Sequence, residues 1–425
     1  METIIISIFA LGYLGIAFEH PLKINKAPMA LLTGILCWVV LFLYGGQPAE
    51  ETTELSHHFA KIAEILFFLL GAMTIVELVD SHQGFKVITN RITTKDTRKL
   101  LWIISLVTFF LSAVLDNLTT SIVMISLLRR LIHDDTQRKF FAGMVIIAAN
   151  AGGAWSPIGD VTTTMLWIGG QVTAVNIVKE LFIPSLVCLV VPLLYLSFKL
   201  KGQIQQNAYN RDAAFVEEDV KGSKLMFFVG VGALLFVPIF KTITHMPPYM
   251  GMLLGLGVLW IISEFIHADK DEEAKKPYTA IHALSKIDTS SILFFMGILV
   301  AISAMETSGI LTNFATSMNN WIGNQDIIVT AIGLISAVID NVPLVAASMG
   351  MYDLATYLPD AKIWEMMAYC AGTGGSVLII GSAAGVAVMG MEKIDFIWYL
   401  KKFSLLAMLG YFSGLAAYLV IFHFI

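Results

Sequence analysis

Ser112-Ala113-Val114-Leu115-Asp116-Asn117 returns 224 positions later as Ser336-Ala337-Val338-Ile339-Asp340-Asn341. Each copy lies inside a long apolar stretch, 100–132 or 327–351, and each puts an acid–amide pair in its middle. One straight membrane span takes about 17–25 residues, and polar groups at its centre are costly in lipid. Both stretches therefore read as re-entrant hairpins with Asp-Asn at the turn. Two further echoes flank this one. Ile65-Leu66-Phe67-Phe68 answers Ile292-Leu293-Phe294-Phe295, and Gly152-Gly153 with Ile158-Gly159 answers Gly374-Gly375 with Ile380-Gly381. The offset drifts only from 227 to 224 to 222, so a whole half of the chain is repeated.

Composition says what solvent that repeat occupies. Of 425 residues, 57% are hydrophobic and 14% charged, against about 25% charged in an ordinary soluble domain. A water-facing surface cannot be made from so few polar residues, so lipid is the solvent. The basic residues are spread over short loops without a patch, which excludes nucleic acid as a partner. Glu2, with no basic region, precedes the first apolar run, so that run reads as a span and not a cleaved leader. Cys37, Cys188 and Cys370 sit in apolar runs without metal-like spacing and read as buried fillers.

If both hairpins enter and leave on one side, the other ten apolar segments cross fully. Twenty-three of the 27 lysines and arginines, Lys23 and Lys26 among them, then fall on one side. Lys61, Lys179, Lys241 and Lys362 remain on the other. The basic excess marks the cytoplasm, which puts both termini outside. The first hairpin then opens from the cytoplasm and the second from outside. Five crossings per half turn the second copy upside down, the plan of secondary transporters. The expected fold is an all-α polytopic membrane protein of two inverted repeats, with about ten transmembrane helices and two re-entrant hairpins. The repeats cover 1–198 and 225–425, joined by a polar cytoplasmic linker, 199–224. Each contains one broken helix, 140–168 or 363–389. The expected location is the cell's inner, plasma membrane.

The breaks carry the chemistry. Asn150-Ala151-Gly152-Gly153-Ala154-Trp155-Ser156-Pro157-Ile158-Gly159-Asp160 cannot run as an unbroken helix through two glycines and a proline. Gly372-Thr373-Gly374-Gly375-Ser376 through Gly381-Ser382 repeats the interruption. Unwound backbone at the midplane is how transporters build ion sites; small residues there also serve close helix packing. Asp116, Asn117, Asp340 and Asn341 can cap half-helices, yet an intramembrane carboxylate is also a functional candidate in its own right. Thr119 and Thr120 add hydroxyls behind the first tip, where the second has Pro343-Leu344. Asp160 is the third deep acid, followed by Thr162 and replaced by Ser382 in the second half. With Asn150 and Ser156, these residues offer hard oxygen ligands, with Asp116, Asp160 and Asp340 as the metal-type ligands. No intramembrane lysine or arginine is expected beside them. Three acids without a base point to a small cation. Glu77 and Asp80, near the inner end of the third span, are candidates for an access route, and Glu64 for its outer rim. His82 titrates in the right range to sense cytoplasmic pH or is a solvated loop residue. His57 and His58 read as exposed, and 269–276 as a solvated mixed-charge run.

These motifs resemble the NhaD-type sodium/proton antiporters of the ion transporter superfamily over nearly the whole length. The resemblance rests on Leu115-Asp116-Asn117-Leu118-Thr119-Thr120, on Asn150 through Thr162, and on Ile339-Asp340-Asn341-Val342-Pro343. It implies exchange of cytoplasmic Na+ or Li+ for external protons, no cofactor, and a homodimer with a scaffold and a mobile transport domain. Dicarboxylate carriers of the superfamily look like Ser-Asn-Thr at both tips, where this chain has Asp-Asn. Arsenite carriers share the plan, so export of arsenite or another small solute, or sodium-coupled carriage, are the alternatives. His-Glu-x-x-His and Gly-x-Ser-x-Gly are absent from the sequence, and no histidine pairs with a deep acid, so an intramembrane enzyme is not expected.

Overall fold

Acid and amide caps start most of the long helices. Asn25 accepts a hydrogen bond from Ala27 N at the head of the second helix, and Asp96, Asp134, Thr173, Asp288 and Asn324 each accept from a first-turn amide of a later helix. Each such cap contributes about 1 kcal/mol. The computed structural model describes residues 1–17, 24–45, 48–92, 94–132, 134–200, 202–204, 220–338 and 340–424. Lys23, Lys201, Arg211, Ile339 and most of the linker 199–224 lie outside the described residues. The longer helices are α1 (Glu2–Ala17), α2 (Lys26–Tyr44), α3 (Pro48–Ser81), α4 (Thr97–Leu115), α5 (Asn117–Leu131), α6 (Asp135–Gly153), α7 (Val161–Ile168) and α8 (Ala174–Lys199). There follow α9 (Ser223–Thr244), α10 (Pro248–Ile266), α11 (Thr289–Thr307), α12 (Ile310–Ile322), α13 (Gln325–Ile335), α14 (Asn341–Met351), α15 (Lys362–Gly374), α16 (Ala383–Glu392) and α17 (Leu405–Phe424).

Among the described residues, eight helices are long and apolar enough to cross a membrane. Their outward faces carry bare apolar side chains such as Leu43, Phe265 and Leu405, a surface suited to lipid and not to water. This is an all-α polytopic membrane protein. The α12 helix has no counterpart in the expected segments; its polar face, with Asn313, Asn319 and Asn320, lowered its hydropathy below that of a span.

Corresponding elements of the two halves make corresponding contacts. The α4–α6 pair is matched by α13–α15. Ser112 Oγ donates to Ala149 O at 2.6 Å, and Ser336 Oγ donates to Ala371 O at 3.2 Å. A Cβ on Gly152 would strike the Phe109 carbonyl, and one on Gly374 would strike the Gly333 carbonyl. Glycine is required at both places because backbone meets backbone there. Across the halves, α5 packs on α16 and α7 on α14.

Charged ends sort in space. Arg130, at the end of α5, shares a pocket with Asp80, Gln83 and Lys86. Lys86, Arg91, Lys221 and Lys224 share another, and Lys221 pairs with Asp269. At other ends of the helices, Lys362 pairs with Asp326, Asp360 holds Thr173, and Lys241 donates to Trp167 O. Glu392, with no exposed side-chain surface, is gripped by Arg129 of α5 and Arg138 of α6. The three cysteines are free and buried.

Two histidines correct the sequence reading. His82 is fully buried and not in a solvated loop: its Nδ1 meets Leu78 O at 2.7 Å and its ring faces His267 and Tyr278. His58 is buried rather than exposed, against Trp38 and 3.2 Å from the Thr307 hydroxyl. Each side chain is covered by a helix distant in sequence, which local hydropathy does not register.

Candidate functional site

Four interruptions of helical backbone meet near one cavity. At Asp116, φ is 105° and ψ 160°, so α4 stops and α5 begins with its amides facing the Asp116 carboxylate. Thr119 N and Thr119 Oγ1 each donate to it at 2.8 Å. Such backbone strain persists only where its surroundings impose it. Asp340 caps α14 through Val342 N at 3.2 Å. Asp160 caps α7, accepting from Thr162 N at 2.9 Å and Thr162 Oγ1 at 2.8 Å. Ser382 caps α16 through Gly385 N at 3.2 Å. The sequence-level caps are therefore real, and each leaves oxygen facing the break.

Asp160 is the hub. It is 2% exposed. Its Oδ2 accepts from Asn117 Nδ2 at 2.6 Å and from Asn341 Nδ2 at 3.5 Å, one amide from each tip. Asn117 also donates to Asn150 Oδ1 at 3.0 Å. Asn150 then donates to Ser376 Oγ at 3.0 Å and Ser382 Oγ at 2.9 Å in the other half. One polar chain thus ties both tips to both broken helices. A buried network of this kind is costly unless every member is paired. Ser376 was not among the expected site residues, although it closes the Gly374-Gly375 interruption.

Asp116, Asn117, Thr119, Asp160, Asp340 and Asn341 line a cavity of about 80 Å³. That is the space of two or three waters at about 30 Å³ each. It is well below the roughly 300–1,000 Å³ of a small-molecule pocket. The aspartates reach the wall without gathering into a chelate. Among the described residues no three acidic, imidazole or thiol side chains could hold a metal ion together. Thr120 Oγ1 is buried without a hydrogen-bond partner among the described residues. The Ser156 hydroxyl is tied to backbone: it donates to Ala113 O at 2.5 Å and accepts from Ile158 N.

One expectation fails here. Lys26 Nζ lies 3.2 Å from Asp340 Oδ2, so the acids do have a basic neighbour. Lys26 is the first residue of α2, and its long apolar stem carries the ammonium inward from the helix end. Asp80 lines the pocket of about 290 Å³ beside Arg130, away from this cavity. Glu64 and Glu77 are half-buried on α3 and line neither cavity.

Apolar spans, paired helix breaks and a buried carboxylate at their meeting point define a secondary transporter. The chain belongs to the citrate transporter family, which matches residues 13–372. It is a transporter and not an enzyme. It is 48% identical to sodium/proton antiporter 2 of Arabidopsis thaliana, over 98% of this chain and 99% of that one. It is 52% identical to sodium/proton antiporter 1 of the same plant, over 97% of this chain and 71% of the relative. The Na(+)/H(+) antiporter NhaD of Vibrio cholerae is 30% identical, over 98% of this chain and 91% of its own length.

Proposed function

We propose that this protein exchanges cytoplasmic Na+, or Li+, for external H+ by alternating access, with the carboxylates of the small cavity shared between the two cations. The observation that carries this reading is Asp160, buried and approached by an amide from each tip. Carboxylates in one small dry cavity are not all ionised cheaply, so in the absence of sodium the cluster retains a proton. Sodium supplies the missing charge and expels it. Asp116, Asp160 and Asp340 act as cation ligands that draw together only when the cation arrives, with Thr119, Thr120 and Thr162 as neutral oxygen donors. Asn117, Asn150, Asn341 and Ser382 hold the ligands in register. Exchange follows if only loaded states cross.

The boundaries of the two inverted repeats, 1–198 and 225–425, with hairpins 100–132 and 327–351, belong to the same proposal. Matched contacts in the two halves support it. Outward-facing termini, a homodimer and residence in the plasma membrane are also proposed, on the grounds of the basic asymmetry and the family resemblance. The names of the relatives support the choice of ions.

The test is dequenching of a pH-sensitive dye in everted vesicles. Sodium and lithium are expected to dequench it, while potassium, citrate and arsenite do not. Apparent sodium affinity is expected to rise with pH by up to about tenfold per unit if one proton leaves per ion. A flat response between about pH 6 and pH 9 refutes competition. A second reading has one observation in its favour: Lys26 puts a cation beside Asp340, as an anion carrier requires. Dequenching by citrate or arsenite, and not by sodium, would establish it.

A further inference from the structure

The Lys26 ammonium sits where two spaces meet. Lys26 and Asp340 both line the cavity of about 80 Å³ and both line a wider vestibule of about 360 Å³. The vestibule also takes in Asn25, Asp288 and Ser290, which lie at the starts of α2 and α11. The ammonium is 3.2 Å from Asp340 Oδ2 and 4.2 Å above the Phe294 ring centroid. Side-chain exposure is 27% for Lys26 and 20% for Asp340. The pair joins α2, which packs on α1 and α11, to the first residue before α14, the tip of the second helix break. α2 and α11 are fastened together there by Ser290 Oγ, which donates to Asn25 Oδ1 at 2.9 Å. The lysine therefore projects from a braced helix pair into a site that must change occupancy.

We propose that Lys26 is the tethered counter-ion of Asp340: it holds that carboxylate while the transported cation is absent and is displaced when the cation binds. This rests on the cation-exchange reading of the site. The reason is charge. An ammonium and a sodium ion both seek the same carboxylate oxygens, and two cations crowded onto one carboxylate repel each other. Phe294 gives the displaced ammonium a face to rest on. Two consequences follow. Lys26 lowers cation affinity, because each incoming ion must compete with it. It also pins the Asp340 tip to α2 when the site is empty, so an empty carrier does not cross and exchange stays coupled. The role proposed above for the acids needs no lysine; the lysine makes occupancy and movement depend on each other.

The test is sodium binding to the purified full-length protein at fixed pH, read with radioactive sodium, for wild type, Lys26→Gln and Lys26→Arg. Lys26→Gln removes the competitor and is expected to bind sodium on the order of tenfold tighter, within the usual range of site coupling. Lys26→Arg keeps the charge and grips a carboxylate bidentately, so it is expected to bind roughly threefold weaker or worse. A fault in packing would weaken both. The gain in Lys26→Gln should vanish on an Asp340→Asn background. Proton-coupled sodium efflux in proteoliposomes should slow in Lys26→Gln, while sodium-independent proton leak rises. The inference is overturned if wild type exchanges sodium for protons yet both variants keep its affinity, or both shift in the same direction. If Lys26→Gln does not yield monodisperse protein, Lys26→Arg alone decides: unchanged or tighter binding overturns the inference. Wild-type protein that neither binds sodium nor moves protons in response to it overturns the antiport reading as well.

Discussion

Replacing Asp160 with serine separates its two roles. The second half already uses Ser382 at the matching position, where the hydroxyl caps α16 through Gly385 N at 3.2 Å. Asp160→Ser should therefore keep α7 capped, at a cost of a few tenths of a kcal/mol for the exchange of one good cap for another. The serine hydroxyl does not reach Asn117, whose amide now donates 2.6 Å to Oδ2. Loss of that charge-assisted bond costs roughly 2 kcal/mol, softened because Asn117 keeps Asn150 Oδ1 at 3.0 Å. The cation loses more. One charge at about 4 Å contributes roughly 4 kcal/mol at an effective dielectric near 20, which weakens cation binding on the order of a thousandfold. Thermal unfolding in detergent should fall by a few degrees while sodium-driven dye dequenching disappears at millimolar sodium. A folded Asp160→Ser protein with the sodium dependence of wild type would refute the reasoning, and Asp160 would be a cap alone.

Thr120 and Ser156 should behave oppositely. Thr120→Val, at a buried hydroxyl with no partner among the described residues, should weaken sodium affinity without lowering thermal stability; Ser156→Ala, which strands the Ala113 carbonyl, should cost about 1–2 kcal/mol of stability and leave sodium affinity near wild type. Burial holds the His267 imidazole down at about 4, so the folded protein refuses a proton that the unfolded chain takes up near 6.5. The imidazole's contribution to stability should then fall as pH drops from about 6.5 to about 4, and His267→Phe should flatten that slope in detergent melts. Cysteines at Arg130 and Asp353 should react with impermeant reagent from the cytoplasm and from outside respectively; labelling of both from one side would defeat the inverted arrangement.

The helix breaks were legible because their residues have no other use for so much glycine, proline and acid in apolar runs. The tips and the caps at Asp116, Asp160 and Asp340 follow from those local patterns, whereas the bridge from Asn150 to Ser376 and Ser382 spans the two halves. Lys26 was not legible. By hydropathy it belongs to a loop, and only the packing of α2 beside α11 aims its ammonium at Asp340, 314 positions away. For Ser156, sequence shows a hydroxyl beside the break but not its bond to Ala113 O. The Glu392 clamp and the His82–His267 ring contact join residues more than 180 positions apart, so no window of sequence contains both partners. The α12 helix escaped because half its surface is polar.

The glycine contacts between α4 and α6, and between α13 and α15, have a mechanical meaning. With Gly152 against the Phe109 carbonyl and Gly374 against the Gly333 carbonyl, no side chain separates the backbones at these crossings to act as a bearing. Sliding one past the other would drive peptide groups into collision. Whatever displacement carries a cation across the membrane must take each welded pair along as a single piece and find its slip plane elsewhere, where facing surfaces are separated by pliable side chains.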